Sequence, residues 1–220
     1  MHDTAQQVCE CFAHVYGRAG FKVLDVGSRS VNGHMRGPFE ECKMEYIGMD
    51  MEPGENVDVL VAPGKPFPFE NGAFDLVIST STFEHDPTPM LTFREMCRVT
   101  KLGGFIYVNA PCGGGPYHGH PGDNWRFYSD AAQSFAYGSS IKMFVENDKI
   151  QAPCAYPAHV EETAHCLPLT PGSWVDWFAV WKRVDEPQVG IVVSSETRHR
   201  EGPLLTAVHL AGCRTCPFVP

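Results

Sequence analysis

Hydrophobic residues in this chain form short runs separated by segments with helical spacing. The first five runs predict strands at 22–26, 45–50, 57–61, 74–79 and 105–109. Two later runs, at 141–146 and 174–182, predict a sixth and a seventh strand. Alternation of strands with helices is typical of a mostly parallel α/β sheet with right-handed crossovers.

Two segments between these runs carry apolar residues every three or four positions, which predicts helices. One occupies residues 4–16. The other is predicted to begin with Asp86 as its N-cap and Pro87 in its first turn, and to end at the glycines that follow Leu102. Residues 32–42 are interrupted by a glycine and a proline, so a helix there is expected to be short or split.

A glycine loop follows the first predicted strand. Gly27 comes directly after the strand, and Ser28 and Gly33 supply turn residues. Because Gly27 has no Cβ, its backbone can approach a ligand and can adopt a positive φ. The spacing from Gly27 to Gly33 lacks the G-x-G-x-x-G pattern that binds a pyrophosphate. Asp25, at the strand end, would repel a diphosphate and attract an amine or a sulfonium.

The second predicted strand ends in an acidic residue, Asp50. A carboxylate in this position can accept hydrogen bonds from both hydroxyls of a ribose. Two acidic strand ends and a glycine turn therefore indicate a nucleoside pocket without a phosphate site.

Several of these segments resemble the class I S-adenosylmethionine-dependent methyltransferases, in particular the type 11 branch. The resemblance is carried by residues 23–33, Asp50, the strand 74–79 and the sequence Phe83-Glu84-His85, and it extends over roughly residues 5–183. It implies a Rossmann-like, seven-stranded, mostly parallel sheet with helices on both faces and an antiparallel last strand. It also implies S-adenosyl-L-methionine as the cofactor.

The resemblance implies a donor site that combines the glycine loop with the ends of later strands. The residues assigned to it are Asp25, Gly27, Ser28, Gly33, Asp50, Met51, Gly64, Ser79, Thr80 and Phe83. One segment departs from the family pattern. Family members usually hold the adenine amino group with an acidic residue after the third strand, but this chain reads Ala62-Pro63-Gly64 there. The contact is then expected from the backbone, or it is absent.

A second family pattern lies in the loop at 118–127. The family reads His-Gly-x-Pro-x-Asp-Tyr-Trp-Arg-Phe here, and this chain matches it apart from Asn124. Ligands of open α/β sheets bind beyond the carboxyl ends of the strands, so the loop is predicted to lie over the methyl donor.

An oxygen or nitrogen acceptor often needs a base to take its proton. The candidate catalytic residues are His118, which ranks first, with His120 and His85. The alternative is structural: His118 and Asp123 would hold the loop in place, with Arg126 in an internal ion pair. The sequence does not decide between the two.

The composition of the chain limits the binding partners and the cellular location that can be expected. The 220 residues carry a formal net charge of −9, which argues against binding to nucleic acid through phosphate contacts. No apolar run is long enough to span a bilayer, and a cytoplasmic location is expected. The nine cysteines are scattered and are expected to be reduced thiols, Cys112 included.

The chain is predicted to divide into a methyltransferase domain at 1–184 and a C-terminal extension at 185–220. Contact between the subunits of a homo-oligomer is one predicted role of the extension. A Pro-rich insertion at 151–173 is a predicted lid. A single C-x-x-C motif at Cys213 and Cys216 is too little for a zinc site, so no metal site is predicted.

The functional hypothesis is transfer of a methyl group from S-adenosylmethionine to an oxygen or nitrogen of a small-molecule or conjugated metabolite. Two alternatives stay open. One is a non-catalytic binding or scaffold protein that keeps the methyltransferase fold. The other is an NAD-linked oxidoreductase, which the missing pyrophosphate pattern disfavours.

Overall fold

The computed structural model describes residues 3–112, 117–119, 121–128, 130–138, 143–145 and 176–184. The predicted lid, the C-terminal extension, His120 and the C-x-x-C motif lie outside this part of the chain. The helices are α1 (Asp3–Tyr16), α2 (Arg36–Glu41), α3 (Pro89–Val99) and α4 (Asp130–Gly138). The strands are β1 (Lys22–Val26), β2 (Glu45–Asp50), β3 (Val59–Leu60), β4 (Phe74–Thr80), β5 (Thr100–Pro111), β6 (Met143–Val145) and β7 (Asp176–Arg183).

The strands form one seven-stranded sheet in the order β3-β2-β1-β4-β5-β7-β6. The first five strands in this order pair in parallel, whereas β7 pairs antiparallel with both β5 and β6. The predicted fold class, including the antiparallel last strand, is confirmed. In such a sheet the carboxyl ends of β1, β2 and β4 meet at one edge, next to the point where the strand order reverses.

Side chains that alternate along each strand supply two hydrophobic clusters. Leu24 and Val26 of β1 belong to the cluster that contains α3 and α4, and Val23 belongs to the cluster that contains α1 and α2. Both faces of the central strands are therefore covered by helices, which explains why their sequences are almost continuously apolar.

The predicted ends of α3 are wrong. The helix begins at Pro89 with Thr88 as N-cap, two residues later than expected. Asp86 instead accepts a hydrogen bond from the Thr88 amide at 2.7 Å and forms a turn ahead of the helix. At the other end, the helix passes directly into β5 at Thr100, and Gly103 lies inside the strand near a register shift against β4. The short helix expected after the glycine loop is confirmed as α2.

The cysteine prediction is wrong at one position. Cys112, which is fully buried at the end of β5, is disulfide-bonded. Cys9, Cys11, Cys42 and Cys97 carry thiols, as expected. Within the residues that the structure describes, none of the helices has the length and apolar composition needed to cross a membrane.

Candidate active site

A cavity of about 690 Å³ opens beyond the carboxyl ends of β1, β2 and β4. Its walls come from five parts of the chain: the glycine loop, the turn after β2, the segment 61–67, the loop after β4 and helix α3. His118 and Pro121 of the later loop complete the lining. The cavity thus lies where ligands bind in open parallel sheets.

The glycine loop is tied to β2 by its backbone. The amides of Gly27 and Ser28 donate to the carbonyl of Met49 at 2.8 and 3.1 Å. The Ser28 side chain is buried and donates to the carbonyl of Asn56 at 3.0 Å. Gly27 has a φ of 83°, and a Cβ added there would overlap the hydroxyl group of Thr82. Only glycine fits both the dihedral angle and the space.

Replacing Gly27 by alanine should destabilise the fold. The positive φ costs about 1–2 kcal/mol for a residue with a Cβ, and overpacking against Thr82 adds about 1–3 kcal/mol. We expect the free energy of unfolding, measured with urea, to fall by about 3 kcal/mol. Gly20→Ala is the matched control, because Gly20 has a φ of 82° but no atom within 4 Å of the added Cβ. Equal losses in the two variants would show that the contact with Thr82 contributes nothing.

Asp50 ends β2 and lines the cavity. One of its carboxylate oxygens accepts the Arg29 amide at 3.0 Å, and the other accepts the Glu52 amide at 3.1 Å. Each oxygen can accept a further hydrogen bond, so the carboxylate is both held in place and able to bind two ligand hydroxyls.

Asp25 does not line the cavity. Its side chain is buried on the sheet face covered by α1 and α2, where it accepts a hydrogen bond from the Tyr46 hydroxyl. Asn56 donates to the same hydroxyl at 3.2 Å. Burial raises the pKa of Asp25 to about 7. Asp25 is therefore not among the residues that line the cavity, although the sequence analysis assigned it to the donor site.

The Asp25 proton should make stability depend on pH. The pKa is 3.8 for an ordinary aspartate and about 7 in the fold. The folded state therefore keeps a proton that the unfolded chain releases, so stability is greatest below about pH 4 and falls as the pH rises to 7. Glu84, whose pKa is also raised to about 7, acts in the same direction.

Asp25→Asn keeps an acceptor for Tyr46 and removes the titrating group. We expect the loss of unfolding free energy between pH 5 and pH 8 to shrink by on the order of 2 kcal/mol. Urea unfolding at several pH values measures this. Glu55→Gln, which changes an exposed carboxylate, should leave the pH profile as it is. An Asp25→Asn profile parallel to that of the wild type would contradict the expectation.

Three side chains form an acidic and imidazole cluster at the cavity wall: Glu84, His85 and His118. Glu84 Oε1 lies 3.7 Å from Nε2 of His85 and 3.7 Å from Nε2 of His118. The two imidazole rings meet edge to face, with their centroids 5.0 Å apart. Residues that are distant in sequence are therefore in contact at the end of β4.

The second partner of each histidine fixes its orientation. His85 Nδ1 donates to the Gly122 carbonyl. His118 Nδ1 lies 3.3 Å from the Asp123 carboxylate, which also forms a two-pronged ion pair with Arg126. Arg126 holds the pKa of Asp123 far below its usual range. Both of the functions considered for this loop from the sequence, a base and a structural clamp, fit this arrangement.

Glu84 and His118 have shifted pKa values. Burial raises the pKa of Glu84 to about 7. Burial also lowers the pKa of His118, although the nearby Asp123 opposes that shift. A lowered pKa keeps the imidazole neutral at physiological pH, which is the form that accepts a proton.

The loop that carries His118 is joined to the exit of β4 by main-chain contacts. The amides of Asn124 and Trp125 donate to the Glu84 carbonyl at 2.7 and 3.2 Å. The Asn124 amide group donates to the His85 carbonyl at 2.9 Å, and the Trp125 indole donates to Asp86 at 2.8 Å. Asn124, the departure from the family pattern, thus supports the joint.

The structure separates the predicted site residues into three groups. The first group lines the cavity: Gly27, Asp50, Met51, Gly64, His85 and His118. The second group does not: Asp25, Ser28, Gly33, Ser79, Thr80 and Phe83. His120 lies outside the described residues.

Burial explains the position of two residues in the second group. Ser79 is buried and donates to the Val26 carbonyl at 2.7 Å, which links β4 to β1. Phe83 is fully buried, with its ring 5.7 Å from that of Phe135 and 6.4 Å from that of Phe127. Phe83 therefore packs in the hydrophobic core instead of contacting a ligand.

Glu84 belongs to the motif Phe83-Glu84-His85, but the sequence analysis assigns it no function. In the structure it is the buried centre of the cluster. Thr82, which fills the space beside Gly27, was missed as well. The pairing of an acidic residue with a histidine at the exit of a strand was the sequence feature that could have indicated a functional role for Glu84.

The fold and the position of the cavity define a class of protein with a Rossmann-like sheet. Comparisons with known proteins show which family within that class this chain resembles. A family model described as a methyltransferase domain matches residues 24–108. An uncharacterized methyltransferase of Mycobacterium sp. (strain KMS) is 32% identical over 168 residues, which cover 71% of this chain and 66% of the relative. These matches identify a methyltransferase domain of the class I S-adenosylmethionine-dependent type in this chain, as its type 11 motifs predicted.

Other relatives are longer than this chain. An uncharacterized methyltransferase of Mycobacterium leprae (strain Br4923) is 32% identical over 131 residues, which cover 54% of this chain and 48% of the relative. The chain therefore matches about half the length of that protein.

Solved structures share the fold at low sequence identity. The 1,6-didemethyltoxoflavin-N1-methyltransferase of Burkholderia thailandensis was solved with bound 1,6-didemethyltoxoflavin and S-adenosylhomocysteine. It has a TM-score of 0.57 and 13% identity over 82% of this chain and 79% of its own. A SAM-dependent methyltransferase from Aquifex aeolicus has a TM-score of 0.53 and 15% identity over 81% of this chain and 90% of its own.

Proposed function

We propose that this protein transfers a methyl group from S-adenosylmethionine to an oxygen or nitrogen of a small-molecule or conjugated metabolite. The observation that carries the proposal is the single cavity that contains both the Asp50 carboxylate and the cluster of Glu84, His85 and His118. Asp50 suits the ribose of the donor, and the cluster suits the proton of the acceptor.

The donor end of the cavity is the glycine loop and the turn after β2. Asp50 would accept hydrogen bonds from the ribose hydroxyls, with Met51 and Gly64 beside the nucleoside. Gly27 lines the cavity at the end of β1, with Thr82 in the space that a Cβ would take. The carboxylates of Asp50 and Glu84 favour a cationic sulfonium over a diphosphate.

The acceptor end is the imidazole cluster. The acceptor lone pair attacks the methyl carbon, the carbon–sulfur bond breaks, and its electron pair returns to sulfur to give S-adenosylhomocysteine. The acceptor proton passes to neutral His118, whose position is set by Asp123. The protein's main contribution is to align donor and acceptor, an effect that can be worth about 7–11 kcal/mol.

Calorimetric titration with S-adenosylmethionine, S-adenosylhomocysteine and NAD, side by side, tests the donor. We expect micromolar binding of the two sulfur nucleosides and none of NAD. Binding of NAD alone, or of none of the three, would overturn the proposal.

A non-catalytic binding protein with the same fold is the second candidate. It is favoured by the segment Ala62-Pro63-Gly64, which lines the cavity without the acidic side chain usual in the family. Transfer of a radiolabelled methyl group from S-adenosylmethionine to any component of a metabolite extract would exclude it. Donor binding without transfer across such a screen would support it.

A further inference from the structure

The cluster at the end of β4 offers three metal-ligand atoms at close range. Glu84, His85 and His118 each offer one such atom, and the three atoms lie within 4.8 Å of one another. We propose that these three side chains bind one divalent first-row transition cation at the wall of the cavity.

The separations fit such an ion. Glu84 Oε1 is 3.7 Å from each of the two Nε2 atoms. Ligand atoms at tetrahedral angles around a cation, with bonds of about 2.0–2.1 Å, lie about 3.3 Å apart. Each of the two pairs that include Glu84 would have to close by only a few tenths of an ångström, which side-chain rotation can supply.

The state of Glu84 points independently to a ligand. Its side chain is 0% exposed, and neither carboxylate oxygen makes a hydrogen bond to the residues that the structure describes. Burial of an unsatisfied carboxylate is costly, and buried charges in proteins are normally paired or coordinate metals. A cation between Glu84 and the two histidines would satisfy this group.

Both histidines are oriented as metal ligands usually are. A carbonyl can only accept, so the contact of His85 Nδ1 with Gly122 places the ring proton on Nδ1 and leaves the Nε2 lone pair toward Glu84. The Asp123 carboxylate lies 3.3 Å from Nδ1 of His118 and accepts a hydrogen bond from the His118 amide at 3.0 Å. A carboxylate or carbonyl behind each imidazole is typical of metal sites, where it fixes the tautomer and the ring orientation.

The ligand set indicates which ions fit. Two imidazoles and one carboxylate favour first-row transition ions over Mg²⁺ or Ca²⁺, which prefer oxygen ligands alone. Three protein ligands also leave coordination positions open toward the cavity, as in catalytic zinc sites.

The open positions suggest how the cation would act, and this part rests on the proposed function. An acceptor hydroxyl bound to the cation would release its proton to water more readily. With the cation bound, this route would replace proton transfer to His118, whose Nε2 lone pair would then be held by the metal. The acceptor oxygen would then attack the methyl group, and the electron pair of the broken carbon–sulfur bond would go to sulfur. An acceptor with an oxygen at the methylated position is the class that this site would select.

The test is titration of the full chain with Co²⁺, in the absence of S-adenosylmethionine and of any acceptor. We expect one Co²⁺ per chain, with visible absorption bands of nitrogen and oxygen ligation. Glu84→Gln, which keeps the side-chain volume, should weaken binding at least about tenfold. Glu45→Gln is the matched control, because Glu45 is an exposed carboxylate at the start of β2.

Three results would overturn the proposal: no bound Co²⁺, equal affinity in Glu84→Gln and wild type, or a spectrum with only thiolate-to-cobalt bands, which would indicate a cysteine site. If Glu84→Gln does not fold, the ligands of the cation are tested instead by pulsed electron paramagnetic resonance of the wild-type protein with Mn²⁺. We expect signals from directly bound imidazole nitrogens. Their absence would contradict the proposal. Failure of metal binding leaves the titration with S-adenosylmethionine unaffected, so the two proposals fail separately.

Discussion

Asp50→Ala should lower the affinity for S-adenosylmethionine at least about a hundredfold. A hydrogen bond to a charged group is worth about 1.5–3 kcal/mol, and the proposed contact with ribose contains two of them. Calorimetric titration measures the change directly. S-adenosylhomocysteine should lose affinity by the same factor, because it has the same ribose.

Asp50 also holds the amides of Arg29 and Glu52, so its loss could disturb the loop. Asp50→Asn separates the two effects, since an amide oxygen can still accept one backbone hydrogen bond while the charge is lost. Glu55→Gln, in the same turn and exposed, controls for the change in net charge. Wild-type affinity in Asp50→Ala would remove Asp50 from the donor site.

His118→Ala should leave donor affinity near that of wild type and reduce turnover by about 10²–10⁴-fold, the usual contribution of a positioned acid or base. The rate is measured as transfer of a radiolabelled methyl group to an acceptor found by screening. Because burial lowers the pKa of His118, the wild-type rate should fall only at pH values below the ordinary histidine range.

His14→Ala is the matched control, because His14 lies in the last turn of α1, away from the cavity. It should show wild-type turnover. The structural alternative predicts a different result for His118→Ala, namely a lower melting temperature together with weaker donor binding. Normal turnover in a folded His118→Ala variant would exclude His118 as the base.

The sheet could be predicted because its strands are buried on both faces. Apolar runs of that kind specify parallel strands, and the positions of Gly27 and Asp50 at the ends of two of them specify which edge carries the cavity. The boundaries of α3 could not be predicted in the same way. Asp86 is a good N-cap residue by type, but its carboxylate is used in the preceding turn, and a helix that runs directly into a strand has no glycine to mark its end.

The face of the sheet to which Asp25 points explains why it does not line the cavity. Asp25 was assigned to the donor from its charge and its place beside Gly27. Alternation along β1 puts it on the same side as Val23, under α1 and α2, where Tyr46 is its partner. Motif matching does not reveal this, because the pattern records order along the chain and not direction.

The cluster could be predicted only in part. His85 and His118 were both candidates for the base, but they are 33 positions apart, and no local pattern shows that their rings meet. Their contact depends on how the loop at 121–127 folds back on β4. Glu84, between them, lies in the exit loop of β4, where carboxylates are usually exposed to solvent. Its burial could therefore not be predicted from its position in the sequence.

The hydrogen bonds from Asn124 and Trp125 to the exit of β4 restrict how the cavity can open to substrates. They join the wall that carries His118 to the wall that carries Glu84, and Phe127 anchors the same loop in the core. These two walls would have to move as one rigid unit. Val31 and Lys65 also line the cavity and have exposed side chains, and we expect substrates to enter and leave past them.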